Sequence, residues 1–191
     1  MTPLVAAGLH PQQMLERVEA FAQKIAALGQ EIGLDLTQFQ ADHIALRIND
    51  AQLAKLAHQA WLEQGQTLSE AQINGRPIVV IAFNTPIQVG AWSIECLELP
   101  YPAAGKIYPA QDWEHIEFVV PSDKEHASDY LADLQQRFTR FLPNDDVKMK
   151  LSSPKGEGER LSNPTVAFKK DGICIKLHPH SLKQIVESEQ G

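Results

Sequence analysis

Apolar and polar residues follow the same pattern twice along this chain. Two segments of β-favouring residues, 42–48 and 114–120, each begin with an acidic residue followed by a histidine. A second pair of segments is also similar: Cys-Leu-Glu-Leu at 96–99 recurs as Cys-Ile-Lys-Leu at 174–177. Since the opening and the closing segments both have counterparts, the pattern predicts one unit built twice, with an imidazole on the inner face of each copy.

The first unit is predicted to run βαβββ. Its opening strand leads into an amphipathic helix that has Asn49 or Asp50 as N-cap and ends near Gly65. Asn74 and Gly75 form a strong two-residue hairpin signal. The apolar run at 78–83 and the segment 92–99 supply the last two strands.

The second unit repeats this order. A strand begins at Trp113, and a capping box over 122–125 predicts the start of a helix that carries Tyr130 and Leu134. Three more strands are predicted near 147–151, 165–169 and 173–178. A polar stretch, 152–163, separates the first two of these strands.

A helix is also predicted ahead of both units. Apolar residues recur at steps of three and four over 11–32, as in an amphipathic helix. We interpret residues 1–40 as an N-terminal helical extension that covers a sheet edge or a partner subunit, so a homodimer is one expected assembly. The rest divides into a first module, 41–102, and a second module with a C-terminal tail, 113–191. The predicted class is α+β, with both modules in one compact domain and a cupped mixed β-sheet.

Composition narrows the classes of function. A chain of 191 residues with 43% hydrophobic residues can bury a core. Its formal net charge of −7 gives no basic footprint for nucleic acid or an anionic membrane. Neither a secretory signal nor an apolar run of spanning length is recognisable, so we expect a cytoplasmic protein. The two cysteines, Cys96 and Cys174, are expected to be reduced, buried thiols.

The repeated histidines are candidate metal ligands. Alternation along each strand places His43 on one face with Arg47, and His115 on one face with Glu117. Glu98 closes the first unit. If the two units face each other, these side chains converge on one cleft, where imidazoles and a carboxylate suit zinc, nickel, manganese or ferrous iron. The alternative is a pair of core histidines that hydrogen-bond to the backbone.

The chain resembles a known family through several motifs. These are ADHIALR, INGRPI, ELPYP, WEHIE, SSPKGEGERL, NPT and IKLHPHS, which together cover nearly the whole sequence. They are similar to those of the bacterial YecM-like proteins. The doubled βαβββ pattern resembles the vicinal oxygen chelate superfamily, which includes glyoxalase I, extradiol dioxygenases and bleomycin-resistance proteins. The resemblance therefore implies that fold and a divalent metal ion.

The resemblance also implies a ligand set. Superfamily enzymes take ligands from the opening and closing strands of each module, which here correspond to His43, Glu98 and His115. The fourth position is Lys176, whose ammonium has no lone pair for a metal. His178, two residues further on the same face, is the candidate replacement. Either His178 completes the set, or the other three form a facial triad with Lys176 beside its open side.

Further residues are candidates for substrate binding and catalysis. Lys176 is expected to contact an anionic substrate or an oxyanion. Arg47 either pairs with Glu98 or Glu117 or clamps a substrate carboxylate, and Glu117 is the candidate general base. Arg76 is a hairpin-tip residue that could line the cleft. The loop after residue 151 is either a mobile hairpin loop or a lid, with an anion held by Ser152, Ser153, Lys155 and Arg160.

Two functions from different classes follow. The first is a metal-dependent enzyme, an isomerase, lyase or dioxygenase, that acts on a small oxygenated, anionic substrate. The second is a non-catalytic protein that binds a small molecule in the same cleft, which predicts a wider, more apolar cleft and ligand affinity that survives loss of His115. A structural or partner-binding module would tolerate loss of His43 and Glu98.

Overall fold

The computed structural model describes residues 1–154 and 161–188. Its helices are α1 (Pro3–Ala6), α2 (Pro11–Glu31), α3 (Ala51–Trp61), α4 (Ala127–Arg137) and α5 (Leu182–Ser188), with a short 3-10 helix at Leu36–Gln38. Its strands are β1 (Gln40–Leu46), β2 (Gly65–Ile73), β3 (Arg76–Val89), β4 (Trp92–Pro100), β5 (Trp113–Val119), β6 (Lys148–Ser152), β7 (Thr165–Lys170) and β8 (Ile173–His178). Among these residues, none of the helices combines the length and hydropathy that crossing a bilayer requires.

The eight strands form one mixed sheet in the order β2-β3-β4-β1-β5-β8-β7-β6. The pairs β1–β4 and β5–β8 are parallel, and the other neighbours are antiparallel. Each half therefore contains one βαβββ module, and the halves join through the antiparallel pair β1–β5. The predicted α+β class and tandem βαβββ modules are confirmed.

Local sequence signals explain several element boundaries. The Asp50 carboxylate accepts a hydrogen bond from the backbone N–H of Leu53 at 2.8 Å and so caps α3, as predicted. Asn74 and Gly75 have φ values of 54° and 79°, the left-handed conformation that a tight hairpin between β2 and β3 requires.

The predicted capping box of the second unit is wrong. Helix α4 begins at Ala127, and its N-cap, His126, makes no side-chain capping bond. The Ser122 hydroxyl instead accepts from the backbone N–H of Lys124 and donates to Asp133 of α4 at 2.8 Å. Ser122 therefore stabilises the turn before the helix and ties that turn to the helix side.

Helix α2 covers the middle of the sheet. It contacts β5 and β8, which are interior strands, rather than a sheet edge, and the alternative contact with a partner subunit stays a prediction. Its buried stripe includes Met14 and Ile25, and the Trp113 indole N–H donates to the Met14 carbonyl at 2.8 Å. Together with α3 and α4 it encloses a core that includes Ile116 and Phe118 of β5. The opposite face of the central strands is left for polar side chains.

Candidate metal centre

Four neighbouring strands in the middle of the sheet, β4-β1-β5-β8, hold most of the predicted site. Backbone pairing sets His43 of β1 opposite Glu117 of β5. Ala45, two residues further along β1, lies opposite His115 of β5 on one side and Glu98 of β4 on the other. Residues directly opposite or one pleat apart on one face of a sheet are in contact range, so side chains from distant parts of the chain converge here.

The ring nitrogens of both histidines face two carboxylates. His43 Nε2 lies 3.1 Å from Glu98 Oε2 and 3.5 Å from Glu117 Oε1. His115 Nε2 lies 3.7 Å from Glu98 Oε1 and 3.6 Å from Glu117 Oε1. Each of the four residues offers one ligand atom, and these atoms all lie within 4.8 Å of one another. Two imidazole nitrogens and two carboxylate oxygens form a donor set that suits divalent transition metals.

Both Nε2 atoms are buried, and neither makes a hydrogen bond within residues 1–154 and 161–188. His43 is 1% exposed and His115 is 0% exposed, so bulk water does not reach them. A buried polar atom without a hydrogen bond costs about 1–3 kcal/mol, and folded proteins seldom leave one. A cation between these nitrogens and the two carboxylates would give each nitrogen and each carboxylate oxygen a partner. The residues therefore fit a divalent metal ion.

The two histidines differ in charge although they occupy equivalent places. Burial by itself lowers the pKa of His43, but Glu117, Asp42 and Glu98 outweigh it and raise that pKa well above 6.5. Burial and the neighbouring Lys176 lower the pKa of His115. At neutral pH, therefore, His43 carries a proton that a metal must displace, whereas His115 is neutral.

The surrounding carboxylates stay ionised. Burial raises the pKa of Glu98, but the close contact and the charge of His43 lower it to about 2. Asp42 behaves in the same way, because hydrogen bonds from His178 and His43 outweigh burial and lower its pKa to about 2. The pKa of Glu117 also lies well below 4.5, despite burial, mainly because of the charge of His43.

Charge balance favours a divalent cation over a monovalent one. The contact network contains four carboxylates and two permanent cations, which are Asp42, Glu98, Glu114 and Glu117 against Arg47 and Lys176. If a metal displaces the proton of His43, this network is left with two negative charges at a buried site. Uncompensated charge is costly at such depth, and an ion of charge +2 would cancel it.

The model of the YecM protein family matches residues 10–189. The chain belongs to the YecM family. It is 39% identical over 179 residues to Protein YecM of Escherichia coli K12, with 94% of each chain covered. It is 36% identical over 170 residues to an uncharacterised protein of Haemophilus influenzae, with 86% of this chain and 87% of that protein covered. A solved structural-genomics protein designated EC4020 has a TM-score of 0.79 at 34% identity, and the match covers 100% of this chain and 98% of that one.

Lys176 and His178 of this YecM-family chain lie beside the donor set. Lys176 is opposite Glu117 in the ladder, and its Nζ is 3.7 Å from Glu117 Oε1. His178 contacts the other oxygen, with its Nδ1 3.5 Å from Glu117 Oε2, and its Nε2 is 3.4 Å from Asp42 Oδ2. Its Nδ1 is also 3.2 Å from Asn163 Oδ1. Ligation by His178 stays a prediction, and the contacts place it behind Glu117.

The two arginines lie at different distances from the site. Arg47 pairs with Glu114 rather than with Glu98 or Glu117, and its guanidinium carbon is 4.7 Å from the ring centre of Tyr108. Arg76 begins β3 at the hairpin, four residues before Val80, the partner of Glu98. At about 3.3 Å per residue, Arg76 is roughly 13 Å along the strand from that level of the site.

The serines of the predicted lid lie at the β6 edge of the sheet. Ser152 ends β6, opposite Thr165 of β7. Strand β7 separates β6 from β8, so Ser152 is about 10 Å across the sheet from the level of His178. Ser153 follows the strand and is exposed. Lys155 and Arg160 lie outside the described residues, so the lid stays a prediction.

Sequence reasoning missed two buried acids beside the site, Asp42 and Glu114. They are only 5% and 7% exposed, and each immediately precedes a candidate ligand histidine. The repeated acid-histidine pair was visible in the sequence. Strict alternation would have sent each acid to the face opposite its histidine, which is why neither was assigned to the site.

Proposed function

We propose that this protein is a metal-dependent enzyme of the vicinal oxygen chelate type that acts on a small, oxygenated, anionic substrate. His43, Glu98 and His115 would hold a divalent ion, with Glu117 as the fourth donor. The observation that carries the proposal is the cluster of four ligand atoms within 4.8 Å, in which both buried Nε2 atoms lack hydrogen bonds. Zinc, nickel, manganese and ferrous iron all accept such a set.

The open side of the site suits an anionic ligand. The side chains of Glu98 and Lys176 are 14% and 25% exposed, whereas those of His43 and His115 are at most 1% exposed. A ligand therefore approaches past Lys176. Its pKa is raised, since Glu117 and Glu98 outweigh the effect of burial, so Lys176 presents a positive charge to the incoming group.

The chain's own residues divide the chemical work. The four residues would hold a divalent ion, which would supply Lewis acidity to oxygens of a substrate. Lys176 would orient an anionic group. Glu117 is the candidate general base when it does not hold the ion itself, because its Oε1 lies beside both ring nitrogens and Lys176. His178, against Glu117 Oε2, fixes the direction of that carboxylate. Burial of these groups excludes bulk water from the reacting atoms.

The polarity of the site favours an enzyme over a metal-independent binding protein. A binding protein for small molecules usually encloses its ligand between apolar walls. Here the neighbouring side chains are carboxylates, imidazoles and an ammonium. Without a metal ion these charged groups would bind a small apolar molecule poorly. They are suited to binding a metal ion and to transferring protons.

Metal titration is the direct test. We expect chelator-treated protein to bind one equivalent of Zn²⁺, Co²⁺, Ni²⁺ or Mn²⁺ in calorimetry, and Glu98→Ala to abolish high-affinity binding. His58→Ala is a matched control, since His58 of α3 contacts Thr67 and Glu70 outside the site. Absence of binding for all four ions, and for Fe²⁺ under anaerobic conditions, would refute the proposal. Exchange of substrate carbon-bound hydrogen in D2O, followed by NMR over a set of small hydroxy and keto acids, would then test turnover.

A further inference from the structure

Two β-bulges lie at equivalent places in the paired strands β1 and β5. The pairing runs from Ala41 opposite Phe118 to His43 opposite Glu117, so Asp42 is one extra residue on β1. It later runs from Ala45 opposite His115 to Leu46 opposite Trp113, so Glu114 is one extra residue on β5. The two extra residues are the acids that precede the two candidate ligand histidines.

Each bulge brings its acid to the back of the following imidazole. Asp42 Oδ2 lies 2.9 Å from His43 Nδ1, at hydrogen-bond distance. Glu114 Oε2 lies 3.4 Å from His115 Nδ1. In both cases the carboxylate approaches Nδ1, and the opposite ring nitrogen, Nε2, points at the donor set. An acid next to a histidine in an unbulged strand would lie on the other face of the sheet.

Both acids are themselves held in place. Asp42 Oδ2 also accepts a hydrogen bond at 2.9 Å from the backbone N–H of Leu182, at the start of α5. Glu114 is paired with Arg47, which stacks over Tyr108. An anchored carboxylate can fix the rotation of a ring, whereas a mobile one cannot.

We propose that Asp42 and Glu114 are positioning residues for the metal centre, which hold His43 and His115 with the proton on Nδ1 and the lone pair on Nε2. This inference rests on the proposed function. Ligand imidazoles commonly donate their second N–H to a carboxylate, which selects the tautomer and makes the ligand nitrogen more basic. The duplicated bulges place a carboxylate next to Nδ1 in both modules by the same local device.

The cost of the arrangement supports a role beyond folding. A bulge interrupts the hydrogen-bond ladder, and each buried carboxylate must be desolvated. Both costs occur in the two modules at the residue before the histidine. A purely structural requirement for burial would be met more simply by an apolar side chain at 42 and 114.

The two positions are expected to differ in strength. Asp42 makes a hydrogen bond to His43, whereas the contact of Glu114 with His115 lacks hydrogen-bond geometry and its Oε2 is shared with Arg47. Loss of Asp42 should therefore weaken metal binding more than loss of Glu114.

The test compares Asp42→Ala and Asp42→Asn with Glu114→Ala and Glu114→Gln. Asn and Gln keep an oxygen that accepts from Nδ1–H but remove the charge. Loss of an outer-shell partner typically costs 10- to 100-fold in metal affinity, so we expect about that increase in Kd for Zn²⁺ in Asp42→Ala. We expect a smaller loss in Asp42→Asn. Glu95→Gln is the matched control, because Glu95 of β4 pairs only with Lys183 among the described residues.

Two further readouts separate positioning from folding. The visible spectrum of bound Co²⁺ should change in Asp42→Ala, because the ligand ring is free to rotate. In chelated protein at alkaline pH, nitrogen NMR of the imidazoles should show the Nδ1–H tautomer of His43 in the wild type and a mixture in Asp42→Ala. Folded variants with wild-type Kd, Co²⁺ spectrum and tautomer would overturn the inference. If the wild type binds no metal, the proposed function fails, and the tautomer alone decides the positioning role.

Discussion

The equivalent histidines of the two modules should respond in opposite ways when each is replaced by leucine in metal-free protein. Three carboxylates surround His43, with Asp42 at Nδ1 and Glu98 and Glu117 at Nε2. His115 also faces three carboxylates, at 3.4–3.7 Å, but burial and the cation Lys176 lower its pKa, and neither of its ring nitrogens makes a hydrogen bond within the described residues. Leucine is apolar and close in size, so the change tests electrostatics more than volume.

The expected magnitudes follow from these contacts. His43→Leu removes one partner from a buried ion cluster, which costs about 3–5 kcal/mol because unpaired carboxylates remain. For a chain of this length 1 kcal/mol corresponds to roughly 2–4 °C, so Tm should fall by roughly 6–20 °C. His115→Leu removes two unsatisfied nitrogens, each of which costs about 1–3 kcal/mol, so its Tm should be unchanged or higher.

Metal binding should respond to both changes alike. Each variant lacks one ligand nitrogen, so the affinity should fall by more than the roughly 10- to 100-fold that an outer-shell loss causes. For the wild type, Zn²⁺ at about 100 times its Kd adds about 2.7 kcal/mol of stability. This increment should disappear in both variants.

The assay is thermal unfolding at neutral pH, with a chelator and then with Zn²⁺. His58→Leu controls for a histidine outside the site. Equal losses of Tm for His43→Leu and His115→Leu under chelation would refute the assigned charges. A full Zn²⁺ increment in either variant would refute that histidine as a ligand.

Three further predictions concern pH, anion binding and the backbone. Because the pKa of His43 in the folded protein is raised above 6.5, its contribution to metal-free stability is present at low pH and is lost as the pH rises through that folded-state pKa. The Zn²⁺ increment in Tm should grow over the same window. An increment that is constant with pH would contradict this prediction. Lys176→Met should retain Zn²⁺ affinity but weaken oxalate binding to the loaded protein by about tenfold or more in calorimetry, as expected for a charged hydrogen bond, whereas Lys170→Met, on a lysine paired with Glu31, should not. Gly33→Ala should lower the stability to urea more than Gly75→Ala does. Both glycines have positive φ, but a Cβ at Gly33 would clash with the backbone oxygen of Arg140, whereas one at Gly75 would meet nothing within 4 Å. Equal losses of stability in the two variants would contradict this packing argument.

The sequence determined the elements and most of their order. Alternation of apolar residues, the Asn74-Gly75 turn and the Asp50 cap are local, so each predicts structure without knowledge of its neighbours. The duplication also placed His43 and His115 at equivalent points, which is enough to suggest a shared site. It did not predict that α2 covers the middle of the sheet, because an amphipathic stripe shows that a face is buried and not which surface buries it.

Only the tertiary structure decided how the site is composed. Glu117 joins the proposed donor set because the antiparallel register of β1 and β5 sets it opposite His43, and register depends on two strands at once. The bulges at Asp42 and Glu114 exist only relative to a partner strand, so no pattern within one strand reveals them. The same holds for the charges of the two histidines, since a pKa is set by burial and by neighbours that the fold brings together.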